Sequence, residues 1–568
     1  MVCFLAALVY FHSLSGHAFW DDLQLIQHYR SLRQCFTEPF LSAYYRPVVA
    51  LSFYMEGGIW HNAAFGYHLT NLLLHVLTAA ALIGTLRCAF HSRRIALLGG
   101  LLYAVQPAQI STVAWIGGRT DALCELFATL FLWALLGAAR SGARRRFLLL
   151  AAAWMAFFAA ILTKEQAFAL LPLVPLAFLW FSSEQRLDWR AVAPFLVGSG
   201  LYLAMWHAVI PVFLRPPVYP WSYRLALGGA TVSYYTHLLV APSPATLFMV
   251  TARPFAGWSW ILAGYGALAL GWLGVWKWRR TRPALAWFLL MALLGILPVA
   301  NLVPASGQAL SAYRAGLAGL GVVALLAYAV GSLPRVRWQL AAASLLLVWY
   351  GSLTCWGEAQ WQDALHVTRA GMQCDPESYF YREYHTYALL DAGQTQQALS
   401  ETDALLDRTF QGRDWRDADV VASALQAPSF LARMAAIDGA LSSPAAQIAK
   451  TLIVDGKLHL DAHHYAEAGQ AFTAALRLNS ADPNSHVGLG HVLTAEGDWQ
   501  DGLRHYREAI HLQPATAFYY LVLANAEWRH RDREAALSTL QDGYDRVGQQ
   551  KPLLSQWMRK IENAQARP

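Results

Sequence analysis

Two adjacent carboxylates, Asp21 and Asp22 in FWDDLQLI, directly follow the first apolar run of the sequence. Such a pair can supply a general base, with the second group positioning it, and like charges this close raise one pKa. The same pair would also serve as the N-cap of a short interfacial helix starting near Leu23. Arg46 follows in YYRP, and Arg119 and Asp121 stand in QPAQISTVAWIGGRTDAL (106–123). In that stretch one helix ends near 107–109, the chain turns at Gly117-Gly118, and the next helix begins. A guanidinium there can hold a phosphate through bidentate contacts; the other reading is a surface pair between Arg119 and Asp121. Lys164 and Glu165 occupy a tight turn between two apolar helices, ILTKEQAFALLP, with no other charge near them in sequence. Lys164 suits a phosphate contact that Glu165 would fix. Arg314 is the only charge in 297–319, and it is either a second phosphate clamp or a side chain snorkelling to the interface. His68 and His75 are seven apart and share a helix face, but two turns is too long for one ion, so both read as packing histidines. His459, His463 and His464 read as a solvated helical face.

The elements that must position these groups are apolar. The chain has 568 residues, 56% hydrophobic and 14% charged, with a mean hydropathy of +0.31; this is the profile of a membrane protein. Residues 1–355 carry 24 Lys+Arg against 9 Asp+Glu, and residues 356–568 carry 19 against 27. A basic apolar half joined to an acidic half predicts two domains in different solvents, and the high pI does not indicate nucleic-acid binding. About 20 apolar residues cross a bilayer, and runs of that kind centre on 2–15, 67–86, 95–110, 122–139, 147–162, 166–182, 191–213, 258–276, 283–300, 315–332 and 338–354. The first is short, lacks a signal-peptide n-region, and reads as a retained helix.

Loops 87–94, 140–146, 186–190, 277–282 and 335–337 are rich in Lys and Arg, which assigns them to the cytoplasm. All five agree if 223–257, with Pro242, Pro244 and Pro254, stays outside, interfacial or re-entrant; a spanning helix at 223–241 is the alternative. About eleven crossings then place loops 17–65, 111–121, 214–257 and 301–314, and everything after 355, outside. The charges singled out above collect on that side, close to helix ends. Ionisable groups at membrane depth are costly and mark function, so an outward cavity lined by both signs of charge is expected.

The second half is periodic. Tyr465 and Trp499, Phe472 and Tyr506, Ala475 and Ala509, Leu478 and Leu512, and Asp498 and Asp532 are each 34 apart. That is the tetratricopeptide period, clearest over 450–545. A further helical pair is expected at 378–406, with an irregular helical insert at 408–447. Such a solenoid offers a concave groove to a protein or peptide. The six cysteines make no CxxC; Cys355 and Cys374 either pair in an oxidising compartment or stay free.

In their order along the chain, FWDD, YYRP, GYHLTNLLLH, QPAQISTVAWIGGRTDAL, KE and LPVANLVP…AYR resemble the transmembrane-and-TPR O-mannosyltransferases of the GT-C class. The resemblance implies an all-α fold: a GT-C-type transmembrane bundle over 1–355 and a TPR-like α-solenoid over 356–568. It implies inverting transfer of a sugar, mannose foremost, from a polyprenyl-phosphate donor to a hydroxyl acceptor such as Ser or Thr of an exported protein. Asp21 or Asp22 would be the base. Arg119, Lys164 and Arg314 match the places that bind the lipid phosphate, with Arg46, His68, Asp121 and Glu165 in support. The family usually has Glu-Arg where this chain has Tyr313-Arg314. No cofactor or metal is implied. The bilayer and an acceptor in the repeat groove are the expected partners, at the inner membrane with the repeats periplasmic. The alternatives are a non-enzymatic scaffold, which has no need of Asp21, Asp22, Arg119 and Lys164 at membrane depth, and a transferase acting on a lipid or glycan.

Overall fold

The computed structural model describes the chain except residues 1, 42–43, 183–184, 211–220, 303–309, 377, 418–419, 422–443, 548–550 and 564–568. Among the described residues there are helices and one isolated bridge, Phe40 to Tyr44, but no strand. The chain forms two compact units, Met1–Ser378 and Tyr379–Pro568.

The first unit is a multi-pass membrane bundle. Among the described residues, seven helices are long and apolar enough to cross: Ala64–Phe90, Ile116–Ala139, Ala143–Thr163, Trp189–Val209, Trp258–Trp278, Ala312–Gly331 and Val336–Ala359. Arg93–Ala104 and Pro107–Ala114 form a bent pair, at 48°, with the length and apolarity of an eighth span or of a re-entrant turn; the bend falls where Pro107 cannot donate the backbone hydrogen bond a continuing helix needs. Glu165–Phe181 and Pro283–Val299 are shorter apolar helices, and the first expected crossing is only Val2–Val9 followed by a 3-10 turn. In their described residues the eleven runs are helical, with eight of span length when the bent pair counts as one.

Helix ends follow local chemistry. Ser92 caps Arg93–Ala104 through Ile95 N–H, and Asp188 caps Trp189–Val209 through Arg190 N–H. Pro at the first turn, where no N–H is required, opens Pro47–Trp60 and Pro283–Ile296. The outward side chains are those a lipid would cover: Leu270 is 71% and Trp276 68% exposed. Loops 140–146 and 186–190 meet through an Arg146–Asp188 ion pair, while Lys164 lies at the far end of the same 21-residue helix, about 30 Å away at 1.5 Å per residue.

The segment expected as an outer, interfacial or re-entrant stretch holds one unbroken helix, Trp221–Val240. It runs antiparallel to Trp258–Trp278: Ser233 Oγ donates to Trp260 O, and Tyr265 OH donates to Leu225 O at 2.8 Å. A Cβ on Gly264 would sit 2.1 Å from Gly229 O, so the pair needs glycine at the crossing, as close-packed membrane helices do. Twenty residues give this helix the length of a crossing, but it is not among the helices apolar enough to make one.

The unit boundary falls 23 residues later than 355. Helix Val336–Ala359 passes through that position unbroken. Asp375 accepts from Val250 N–H, Thr251 N–H and Thr251 Oγ–H, which fastens the helix Ala364–Cys374 to the membrane unit. Cys355 and Cys374 are both free.

The second unit is a run of antiparallel helix pairs. Helices start at Tyr465, Trp499 and Arg533, each 34 residues after the last, and Asp498 and Asp532 cap their successors through Asp501 N–H and Ala535 N–H. Ala475 and Ala509 are fully buried. A Cβ on Gly488 would fall 2.3 Å from the Phe472 ring, and one on Gly490 2.6 Å from the Tyr506 ring. Small residues thus accept the aromatic of the neighbouring helix, which explains the repeated positions. The pair expected at 378–406 is Tyr379–Asp391 and Thr395–Phe410. Most of the insert 408–447 lies outside the described residues.

Candidate active site

The acidic pair is set by a local backbone constraint. Trp20 has φ +56°, an uncommon conformation for a non-glycine residue that costs free energy and collects at functional sites. Asp22, fully buried, accepts from Phe19 N–H at 3.1 Å and from Gly117 N–H at 3.0 Å. It closes the turn and ties it to the Gly117-Gly118 loop. Burial, with Asp21 adding to it, pushes the Asp22 carboxyl well above the usual carboxylate range, against those two backbone donors. Both of its oxygens are engaged, so Asp22 positions the loop and Asp21 remains as the candidate base. One Asp21 carboxylate oxygen is buried with no hydrogen-bond partner, and burial raises its pKa to about 6.

Asp21 lines a cavity of about 460 Å³ together with Arg46, Asp121, Lys164, Glu165 and Arg314. Segments from five parts of the chain thus converge. Lys164 pairs with Asp121, and Arg46 with Glu165 at 3.1 Å. Aromatic faces steady the cations: Arg46 sits 4.0 Å from the Tyr44 ring centre, and Lys164 and Arg314 sit 5.3 and 5.9 Å from that of Tyr313. Leu41 and Asn301, also in the wall, share the positive φ of Trp20. The wall therefore offers three cations to an oxyanion and one partly desolvated carboxylate to a proton.

Arg119 does not reach the cavity, which corrects its expected place at the donor phosphate. It is fully buried. Its guanidinium donates to Glu56 Oε1 at 2.6 Å and Oε2 at 3.0 Å, to Tyr67 O at 3.0 Å, and through Nε to Asn71 Oδ1. A buried cation needs a fully paired setting; with Nη1 also donating to Ser52 Oγ at 3.4 Å, all five N–H groups are taken and none remains for a phosphate. Neither does His68 line the cavity; it is buried where a Cβ on Gly16 would meet its ring at 3.1 Å, and so supports the backbone leading to Asp21. The partner Glu56 was missed by sequence reading, although one acid inside the apolar SFYMEGG is a usable signal. Tyr44 and Tyr313 were noted only as neighbours of arginines.

Asn71 Nδ2 also donates to Trp115 O at 2.8 Å, so the Arg119 network holds the loop that carries Gly117. That loop has no space to spare. A Cβ on Gly118 would lie 2.4 Å from Ser111 O and 2.7 Å from Thr112 O, both backbone atoms that cannot rotate away. Gly118→Ala is expected to lower stability by about 1–3 kcal/mol, the usual cost of overpacking, read as a fall in the unfolding temperature of the detergent-purified chain.

A helical membrane bundle with a cavity of mixed charge at one end, and a second unit of helix pairs at a 34-residue period, define a multi-pass membrane protein with tetratricopeptide-like repeats. The family model described as dolichyl-phosphate-mannose-protein mannosyltransferase matches residues 47–212. Mouse "Protein O-mannosyl-transferase TMTC1" is 38% identical over 90 residues, 16% of this chain and 10% of that protein. Human "Protein O-mannosyl-transferase TMTC4" is 37% identical over 110 residues, 16% and 14% respectively. Drosophila melanogaster "Protein O-mannosyl-transferase Tmtc2" is 25% identical over 275 residues, 45% and 26%. Over these segments the chain is similar to O-mannosyl-transferases of the TMTC type. The matched segments span between a tenth and about a quarter of these relatives' lengths.

Proposed function

We propose that the chain is a membrane glycosyltransferase that moves a sugar, mannose foremost, from a polyprenyl-phosphate donor to a hydroxyl acceptor on the outer face of the cytoplasmic membrane. The observation that supports this most is Asp21, with a buried unpartnered oxygen, in one cavity with Lys164, Arg46 and Arg314. The acceptor oxygen attacks the anomeric carbon and its proton passes to Asp21. The bond from that carbon to the phosphate oxygen breaks, and its electron pair stays on the phosphate. Cations held in place before the reaction stabilise that charge without reorganising. Asp121 and Glu165 hold Lys164 and Arg46 until a phosphate replaces them as partner. The membrane boundary is the natural position for a donor whose lipid tail remains in the bilayer.

The repeats support a Ser/Thr acceptor on an exported protein. Their surface carries a groove of about 730 Å³ lined by Asn484, His491, Trp499, Phe518, Asn525 and Arg529. Aromatic anchors among hydrogen-bonding side chains suit an extended peptide. The basic loops 140–146 and 186–190 meet at the end of the bundle opposite the cavity, which supports an outward-facing cavity.

The reading is tested with the purified chain, polyprenyl-phosphate mannose and Ser/Thr peptides, with transferred sugar measured by mass spectrometry. Lys164→Gln is expected to lower turnover about 10²–10³-fold, the range for removal of one group that stabilises transition-state charge. Absence of transfer by the wild-type chain to peptide, lipid and glycan acceptors alike would favour a scaffold. Transfer only to lipid or glycan would leave the site reading and remove the protein acceptor.

A further inference from the structure

The helices Thr395–Phe410 and Pro444–Asp461 bring together three side chains that sequence reading did not connect. Asp403 comes from the first, and Asp455 and His459 from the second. Their ligand atoms all lie within 4.8 Å of one another. Asp455 and His459 are four apart and share a helix face. His459 was expected on a solvated surface; it is buried, 5% exposed.

The setting is unusual for a structural ion pair. The Asp455 side chain is fully buried, and neither of its oxygens has a hydrogen-bond partner. His459 Nε2 also lacks one, and stands 3.7 Å from Asp455 Oδ2, too far for a hydrogen bond. Two acids and an imidazole therefore face one another across a gap that no donor among the described residues fills. Buried polar groups are nearly always satisfied, and an exception calls for an explanation such as an ion.

We propose that Asp403, Asp455 and His459 bind a divalent transition-metal ion, Zn²⁺ foremost, within the repeat unit. Small side-chain rotations bring the three donors to the roughly 2.0–2.2 Å bonds of Zn²⁺ to carboxylate and imidazole. One position of a tetrahedral shell is left for water. The neighbours fit this role. His459 Nδ1 lies 3.4 Å from His464 Nδ1, and a hydrogen bond there from Nδ1–H leaves Nε2 bare for a metal, the usual outer-shell arrangement for a ligating histidine. Arg416 is the opposing charge. It holds Asp403 Oδ1 at 2.6 Å, which orients that carboxylate, leaves Oδ2 for the ion, and moderates the affinity. Asp403 is about one-third exposed, so an ion has a route in from solvent.

Burial, reinforced by Asp403, raises the Asp455 carboxyl to about 8. The test is calorimetric titration of Zn²⁺ into the untagged full-length chain after chelator treatment. One Zn²⁺ per chain is expected. Asp455→Asn and His459→Gln should each remove that event. His464→Gln should weaken it by about 10–100-fold, the range for outer-shell partners. Co²⁺ should give a visible d–d spectrum in the wild type that both ligand variants lack. In chelator, Asp455→Asn should be at least as stable as wild type, because it relieves an unpaired buried carboxyl. No stoichiometric Zn²⁺ in the wild type, or equal binding by folded variants, overturns the proposal.

Discussion

Asp21→Asn is expected to lower sugar transfer by about 10²–10⁴-fold, the contribution of a well-placed general base, while leaving the protein folded. The amide keeps the shape of the carboxylate and cannot take a proton. The pH profile supplies a second, independent readout. A base with a pKa of about 6 is protonated below that pH, so turnover should fall tenfold per unit there and level off above it. Stability should move the opposite way. Burial raises the folded-state pKa of Asp21 above the unfolded value of about 3.9. Its contribution to folding is therefore fully present below about pH 3.9 and is lost as pH rises through about 6. Asn does not ionise, so the variant should unfold at an equal or higher temperature than wild type at pH 7.5, with the difference vanishing in acid. A variant that keeps transfer, or that loses transfer together with its fold, would remove Asp21 from the role. Asp22→Ala makes the contrast: it orphans Phe19 N–H and Gly117 N–H, and should lose stability and transfer together.

The charges that converge on the cavity were legible because they break pattern. In a half where apolar runs dominate, Asp21, Arg46, Asp121, Lys164, Glu165 and Arg314 are ionisable groups at helix ends, where each must be solvated, paired or used. Spacing could not tell which of these outcomes each one meets. Arg119 and Asp121 are two residues apart at the start of one helix, yet one turns into the core and the other into the cavity. What decides is a partner 63 residues upstream: Glu56 lies on Pro47–Trp60, and the packing of that helix is a long-range fact. The same holds for Asp403 and Asp455, 52 residues apart with the described chain interrupted between them. Trp221–Val240 was obscured for another reason. The proline-rich residues after it and its polar Thr, Ser, Tyr and His content pull mean hydropathy below that of a span, while a glycine crossing fixes it as a helix. The repeats were legible in detail, since a 34-residue period displays the packing rule several times over.

Arg119 bears on how the cavity is built, and its replacement should be felt first in stability. Arg119→Gln leaves Glu56 as a buried, uncompensated charge; breaking a buried pair from one side costs about 3–5 kcal/mol. The variant should therefore show a large drop in unfolding temperature, and Glu56→Gln should match it. Exchanging both partners for apolar residues of similar volume, Arg119→Met with Glu56→Leu, should recover much of the loss, because the desolvation of both charges is removed with their attraction. A residue that bound the donor phosphate would behave differently: its loss would raise the donor KM in a protein of unchanged stability, and the double variant would recover nothing. Full stability of Arg119→Gln with impaired donor binding would return this residue to the phosphate site. The network also predicts why transfer should weaken as the fold loosens. Arg119 holds Asn71, Asn71 holds Trp115 O, and the loop after Trp115 presents Gly117 N–H to Asp22. Asp21 is the next residue along the chain, so a group that never touches substrate sets the position of the one proposed to take the proton.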